Sequence, residues 1–499
     1  MTAVADDHSG ADDTNCAATH RHISIESVLV LALALALGAW LRFVHLGAAE
    51  IEGDEAVSWQ AASAPTVAEV VRFHEKTNPG KLPIYSIILH LWINLFGESE
   101  AALRGLSAAL GTLAIALVWF AVNETLHAPP MRPGKESFDR IDAPAAASLC
   151  ALIAAASLVM IRYSREARMY PLMLAMLLAQ VGFLMRAARR SGFANYTSAA
   201  IFTALAIAAN FTALLAIVAE GVWLAWAMVR RGVTESSAAL WRLGATLVFG
   251  VALLAPFAGA IGQLAGGVRA GVLAWMGPPR LLDPIQTFES TSGGWVFALL
   301  ALLAVWGCVC NWRERRALVV FALLWMWLPP LLLLPGSYVF FPMNAPRYSL
   351  SSFIPFYLLA SLAMAAVKDL RARYAFAGVL LILMVARVNN YYSKPRDVQY
   401  REAVALAMRE APADAPVGVA SWDESFSSTL YYFASSRRRD LIALPSSGAL
   451  APGASRVGVL ILPDSMRSSD LARYRELFPH LAGRFRQVEV RSRYLKAAP

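Results

Sequence analysis

Cysteine is nearly missing: there are 4 in 499 residues, at positions 16, 150, 308 and 310, and no two form a CxxC pair. That excludes a disulfide framework and a cysteine-based zinc site. Charge is scarce too, at 16% Asp, Glu, Lys and Arg against 58% hydrophobic residues, and mean hydropathy is +0.50. A water-soluble domain of this size does not carry so little charge. The net charge of +9 does not mark a nucleic-acid binder, because Lys and Arg sit in short clusters between apolar runs instead of forming one basic domain.

The apolar runs are long. Those near 25–46, 101–122, 144–161, 170–187, 241–262, 295–311, 316–335, 348–367 and 373–390 each approach the roughly 20 residues that a helix needs to cross the hydrocarbon layer. A further run, 197–229, is too long for one upright helix and is read as a hairpin turning near Asn210. The first run is taken as a membrane helix, since it lacks a convincing cleavage site. The polar, aperiodic residues 1–24 before it read as a disordered cytoplasmic tail.

Lys and Arg clusters fix an orientation. Arg186/Arg189/Arg190, Arg230/Arg231, Arg313/Arg315/Arg316 and Lys368/Arg371/Arg373 alternate correctly if all four are cytoplasmic. The same parity places residues 47–82 and those near 98–104 outside, so the apolar stretch 82–96 begins and ends on one face. At about 15 residues it is short for a crossing and reads as an interfacial or re-entrant helix. The expected architecture is an α-helical polytopic membrane protein of the bacterial inner membrane. It has about eleven crossings over 25–390, interfacial helices in the first outer loop (47–100), and a cytoplasmic N-terminus.

From residue 391 the character changes. REAVALAMREA has the period of an amphipathic helix, VGVAS and VGVLILP read as short buried strands, and SSDLARYRELF reads as another helix, which predicts a small extracytoplasmic α/β domain over 391–499. Asp423 and Glu424 follow the first strand, where helix N-capping explains them best.

Parity also gathers charged residues on the outer face. The loop EIEGDEAVSWQ holds Glu50, Glu52, Asp54 and Glu55, in the company of Lys81, Arg104, Arg162, Arg165, Arg168 and Arg347. Topology disfavours arginine there, so the excess points to an anionic ligand at the bilayer surface, and guanidinium groups suit a lipid phosphate. A carboxylate facing such a cluster is placed to take a proton from an acceptor hydroxyl while the phosphate leaves. Pairing of the arginines with headgroups or with the loop carboxylates is the plainer alternative. Glu220, inside an apolar run, fits neither account.

Taken in order, GDEAVSWQAA, NPGKLPIYSIILHLWINLFGESEAALRGLSAALGTLA, YSREARMYPLMLA and PRYSLSSFIPFYLLAS resemble the bacterial branch of the protein O-mannosyltransferase and aminoarabinose transferase superfamily. These are polyprenyl-phosphate-sugar-dependent enzymes of the C-type glycosyltransferase fold, and the similarity runs through most of residues 25–435. The resemblance implies Asp54 as catalytic base, with Glu55 supporting the acceptor or a metal. It implies donor phosphate or sugar contacts from Lys81, Tyr85, Arg104, Arg165, Arg168, Tyr170, Arg347 and Tyr348. Leu82 stands where the first proline of the family's Pro-Pro pair is usual, and Asn210-Phe211-Thr212 where relatives often carry histidine, so dependence on a divalent metal ion is left open. The expected activity is transfer of one sugar from a polyprenyl-phosphate donor to a lipid, glycan or protein acceptor, with a secondary transporter and a glycan ligase or lipid-binding protein as the alternatives.

Overall fold

The computed structural model describes residues 24–127 except 79, 142–231, 235–259, 279–339, 345–393 and 400–410, and shorter stretches between 417 and 476. The expected N-terminal tail, Cys16, Asp423, Glu424 and most of the helix expected at SSDLARYRELF lie outside the described residues.

The first part alternates long and short helices: α1 (Ile25–Phe43), α2 (Gly53–Ala62), α3 (Val67–Thr77), α4 (Ile84–Phe96), α5 (Glu100–Leu126), α6 (Ala143–Ala156), α7 (Leu158–Ser164) and α8 (Tyr170–Arg189). It continues with α9 (Phe193–Ala209), α10 (Ala213–Arg231), α11 (Glu235–Ala252), α12 (Asp283–Ser292), α13 (Gly294–Trp312), α14 (Arg316–Val339), α15 (Phe353–Ala365), α16 (Leu370–Tyr392) and α17 (Tyr400–Glu410). Among the described residues nine helical stretches are long and apolar enough to span a membrane. A tenth forms if α6 and α7, bent by 60° at Ser157, count as one span. The chain is a multi-pass membrane protein.

The hairpin expected near Asn210 is present, since α9 ends on Asn210 and α10 begins at Ala213. The Asn210 side chain accepts from the Thr212 backbone N–H at 3.0 Å, closing the turn. At 17 residues α9 is apolar but just shorter than these spans; counted with the ten, it gives eleven, against the roughly eleven crossings read from the sequence. The stretch at 82–96 forms α4, only 13 residues long and too short to cross, as parity required.

Packing within lipid has little hydrophobic drive and depends on close approach of small residues. Helix α6, APAAASLCALIAAA, is buried over almost its whole length between α1, α5 and α15. A Cβ on Gly111 of α5 would lie 2.1 Å from Ser164 Oγ, so glycine lets the end of α7 seat against α5. That contact fixes where the next segment, 165–169, leaves the bundle. At the opposite end of α5 and α8, Glu124 accepts from Arg186 (2.9 Å) and Arg189 (2.5 Å).

Beyond α16, helix α17 and three parallel strands, β1 (Val417–Ser421), β2 (Leu441–Pro445) and β3 (Val459–Ile461), form a small α/β unit with strand order β2-β1-β3. The sequence reading anticipated α17, β1 and β3 but not β2. The unit rests on the loop region before α5: Glu50 accepts from the Tyr400 backbone N–H at 2.9 Å, and Arg401 pairs with Glu50 and Glu100. The Tyr432 ring meets Trp59 of α2 edge-on at 5.1 Å.

Candidate functional site

The sequence reading treated EIEGDEAVSWQ as a loop; in the structure its acidic pair opens a helix. Glu52 caps α2, and the Glu55 side chain returns to accept from the Glu52 backbone N–H at 3.1 Å, a capping box that places Asp54 and Glu55 in the first turn. Carboxylates are favoured there by the helix dipole. Adjacent residues on a helix point about 100° apart, and this separates the two acids into different environments.

Glu55 faces inward and is 3% exposed. It accepts from Arg104 Nε at 2.8 Å and Nη2 at 2.7 Å, from the Ala167 backbone N–H at 3.0 Å and from Glu52. Burial alone would raise its pKa, but the Arg104 pair and the backbone donors outweigh that and hold it low. Arg104 spends its remaining donors on the carbonyls of Leu46, Ala49 and Glu50. The pair therefore ties α2, α5, the 46–50 loop and the 165–169 segment together.

Asp54 turns the other way, with its side chain 55% exposed. Arg347 Nη1 reaches its Oδ2 at 3.1 Å, Arg168 Nη2 reaches the same oxygen at 3.7 Å, and Arg168 Nη1 donates to the Asp54 backbone carbonyl at 3.0 Å. Arg168 above all holds the Asp54 carboxyl below its ordinary range; burial opposes it, and Arg347 and Lys81 add to it. Lys81, hydrogen-bonded through Nζ to Asn78 at 3.2 Å, lies within the same field, and burial together with Arg168 pushes its ammonium down to about 8.

The other expected residues divide. Arg168 is steadied by a relay in which Tyr85 OH pairs with Ser107 Oγ at 2.9 Å and Ser107 donates to the Arg168 carbonyl at 3.0 Å. Tyr170 is buried beside Arg168 and Arg347, and the Arg347 guanidinium lies 5.4 Å from the Tyr348 ring centroid. Arg165 points elsewhere. It donates to the carbonyls of Arg42 (3.0 Å), Val44 (2.6 Å) and His45 (3.0 Å), capping the end of α1, and lies over Tyr392 at 4.6 Å. Asp54, Lys81, Arg168, Tyr170, Arg347 and Tyr348 thus form one cluster, while Glu55, Arg104, Arg165 and Tyr85 brace it.

Sequence reasoning missed two groups near this cluster. Glu166 faces Arg162 at 3.5 Å, and burial, with Glu55, Glu52 and Asp54 adding, pushes its carboxyl up to about 7 against the pull of Arg162. His74, on the buried side of α3, donates to or accepts from Ser86 through Nδ1 at 2.9 Å. Glu166 stands inside the YSREARMYPLMLA stretch but was given no role there, and His74 stands in no motif, although the 3.6-residue period of α3 could have placed it on the inner face. Glu220, unexplained by sequence, accepts from Gln180 Nε2 at 2.8 Å and joins α10 to α8.

The donor set does not suit a divalent ion. Asp54 faces two guanidinium groups, the Glu55 oxygens are engaged by four donors, and no group of three or more His, Cys, Asp or Glu side chains gathers among the described residues.

No family model and no curated protein matches the chain by sequence. Solved structures do. ArnT from Cupriavidus metallidurans superposes with a TM-score of 0.55 over 91% of this chain and 94% of its own, at 13% identity when bound to undecaprenyl phosphate and 12% in the apo state. The fold is that of the C-type glycosyltransferases. The apo oligosaccharyltransferase of Archaeoglobus fulgidus matches with a TM-score of 0.53 over 90% of this chain and 68% of its own, at 12% identity. In its complex with Zn and sulfate the match, with a TM-score of 0.51 at 13% identity, covers 81% of this chain and only 61% of that one. Within the C-type fold seen here, the Asp54 cluster sits on the first loop after α1, together with the segments that precede α8 and α15.

Proposed function

We propose that this protein is an integral membrane glycosyltransferase that moves one sugar from a polyprenyl-phosphate donor to a hydroxyl acceptor on the outer face of the bacterial plasma membrane. The observation that carries the reading is the Asp54 carboxylate, open to solvent and bracketed by Arg168 and Arg347 with Lys81 beside it. A carboxylate and three cations thereby stand side by side, which supports reading them as a base and a phosphate site. The C-type fold shared with ArnT, whose structure includes an undecaprenyl phosphate complex, supports the donor class.

In this mechanism the acceptor oxygen attacks the anomeric carbon from the face opposite the phosphate, and Asp54 takes its proton. The bond from the anomeric carbon to the phosphate oxygen breaks with its electron pair going to oxygen, and the configuration inverts in one displacement. Arg168, Arg347 and Lys81 stabilise the charge on the departing lipid phosphate. Binding of the donor also changes the base: a phosphate that pairs with the guanidinium groups draws their field away from Asp54, whose proton affinity then rises toward the ordinary carboxylate value. Asp54 thus stays ionised throughout and becomes the stronger base once the donor phosphate has engaged the cations. Glu55 and Arg104 hold α2 against α5 and set the direction in which Asp54 points. The small α/β unit packs on Trp59 of the same helix.

The test is transfer from an extracted polyprenyl-phosphate sugar pool into endogenous acceptors, comparing membranes with wild type and with Asp54→Asn at equal folded protein. Loss of about 10²–10⁴-fold is expected for removal of a general base. An Asn variant as active as wild type would sink this mechanism.

A further inference from the structure

Arg42 stands in the last turn of α1, a membrane-crossing helix, and is 1% exposed. Its guanidinium pairs with no carboxylate among the described residues. It donates to neutral oxygens instead: Nη1 to the carbonyls of Gly38 at 2.9 Å and Ala155 at 3.1 Å, and Nε to Ser164 Oγ at 3.3 Å. Two glycines keep its space open, since a Cβ on Gly38 would lie 3.2 Å from Nη1 and one on Gly111 would lie 3.2 Å from Nε. A buried charge without an opposite charge destabilises a bundle, and an apolar side chain of similar volume would stabilise it more. Fold stability therefore does not account for Arg42, whereas its acceptors do: they join α1, α6 and the last residue of α7. A cavity of about 20 Å³, room for one water molecule, lies against Arg42 and is bounded by Tyr163 and Ser164 of α7 and by Leu350 of the Pro346–Ser352 turn. Those two segments lead to the site arginines, Arg168 lying four residues after Ser164 and Arg347 three before Leu350.

We propose that Arg42 is a positioning residue for the donor phosphate site, acting through Ser164 to set where Arg168 stands. This rests on the glycosyltransferase reading and extends it. Arg42 pairs with none of Asp54, Lys81, Arg168 or Arg347, so its effect on them is indirect. It holds Ser164 in the notch that Gly111 leaves in α5. One turn earlier on the same face of α5, Ser107 donates to the Arg168 carbonyl at 3.0 Å. The segment from Ser164 to Arg168 is thus pinned at both ends. Between them the Ala167 backbone N–H donates to Glu55 at 3.0 Å, and Arg165 returns to α1 by donating to the Arg42 carbonyl at 3.0 Å. A backbone fixed in this way directs the Arg168 side chain, whose Nη1 meets the Asp54 carbonyl at 3.0 Å. Loss of the Arg42 bond releases the first pin.

The experiment separates position from stability. Transfer from the extracted donor pool is measured over a range of donor concentrations for wild type, Arg42→Met, Arg42→Lys and Ser164→Ala, at equal folded protein. Undecaprenyl phosphate is titrated as an inhibitor of each, and unfolding is followed in mixed micelles with denaturing detergent. Methionine removes the charge and keeps an unbranched side chain, lysine keeps a charged donor, and Ser164→Ala removes the acceptor while leaving Arg42 in place. Expected is that Arg42→Met unfolds no more readily than wild type, yet the KM for donor and the inhibition constant of undecaprenyl phosphate both rise about 10-fold or more. Both constants should rise in Ser164→Ala and recover in part in Arg42→Lys. A merely structural arginine predicts the reverse, a less stable Arg42→Met whose folded fraction binds undecaprenyl phosphate as wild type does, and that result overturns the proposal. Unchanged stability with an unchanged inhibition constant overturns it as well. If Arg42→Met does not fold, Ser164→Ala decides, and an unchanged inhibition constant there is equally fatal. Should wild type neither transfer sugar nor bind undecaprenyl phosphate, it is the glycosyltransferase reading itself that fails.

Discussion

Asp54 and Glu55 are neighbours in sequence with the same chemistry, and the structure predicts opposite consequences for their loss. Glu55→Gln keeps the shape of the side chain but removes the charge that balances Arg104, whose side chain is 2% exposed against 4% for Glu55. The amide can accept through one oxygen only, so one of the two Arg104 bonds and at least one of the backbone bonds from Ala167 and Glu52 are weakened. Breaking a buried pair from one side costs about 3–5 kcal/mol, because a desolvated charge is left behind. Asp54→Asn alters a carboxylate that is 55% exposed, and its loss is worth less than about 1 kcal/mol to the fold after solvent screening. Equilibrium unfolding of purified protein in mixed micelles, titrated with denaturing detergent, reads the first quantity; turnover per folded molecule reads the second. Glu55→Gln is expected to be strongly destabilised, with turnover per folded molecule falling far less than in Asp54→Asn. Should Glu55→Gln unfold like wild type and yet lose turnover as completely as Asp54→Asn, the division into a base and a brace is wrong and Glu55 belongs to the chemistry.

Two further outcomes follow from the same geometry. In the proposed mechanism Lys81 meets the leaving phosphate as a cation, and its pKa is depressed to about 8, so its charge is present below that value and lost above it. kcat/KM for donor should therefore fall as pH rises through about 8, and Lys81→Arg should move that limb upward by two units or more, since arginine stays charged; an identical alkaline limb in both proteins excludes Lys81 as its source. On the other side of α2, Arg401→Glu sets a like charge against Glu50 and Glu100 and should loosen the α/β unit. Hydrogen exchange in peptides covering 53–62 is then expected to speed up several-fold, and unchanged protection there would show that the unit does not brace α2.

Much of the architecture was determined by sequence alone, because in lipid the length of an apolar run and the sign of its flanking charges leave few solutions. The spans, the hairpin at Asn210, the non-crossing α4 and the change of character near 391 followed from that arithmetic. The site was legible as a list: Asp54, Lys81, Arg168 and Arg347 could be assigned to one face and matched to family motifs. What the list could not supply was direction. Nothing in EIEGDEAVSWQ says that a capping box starts a helix there, and one step along that helix turns Asp54 outward and Glu55 inward. Arg104 and Arg165 are arginines on the same face as Arg168, yet Arg104 is consumed by Glu55 and three carbonyls, and Arg165 by the end of α1. Motif spacing does not distinguish a guanidinium spent on backbone from one facing a ligand, since that depends on which carbonyls tertiary packing leaves without partners. His74 carried no motif signal, and only the packing of α3 on α4 placed its ring beside Lys81 and Arg168. The sequence by itself determined the membrane fold and the inventory of charges; the tertiary structure decided which charges brace the protein and which gather around the open Asp54 carboxylate, because that depends on burial and on partners far apart in the chain.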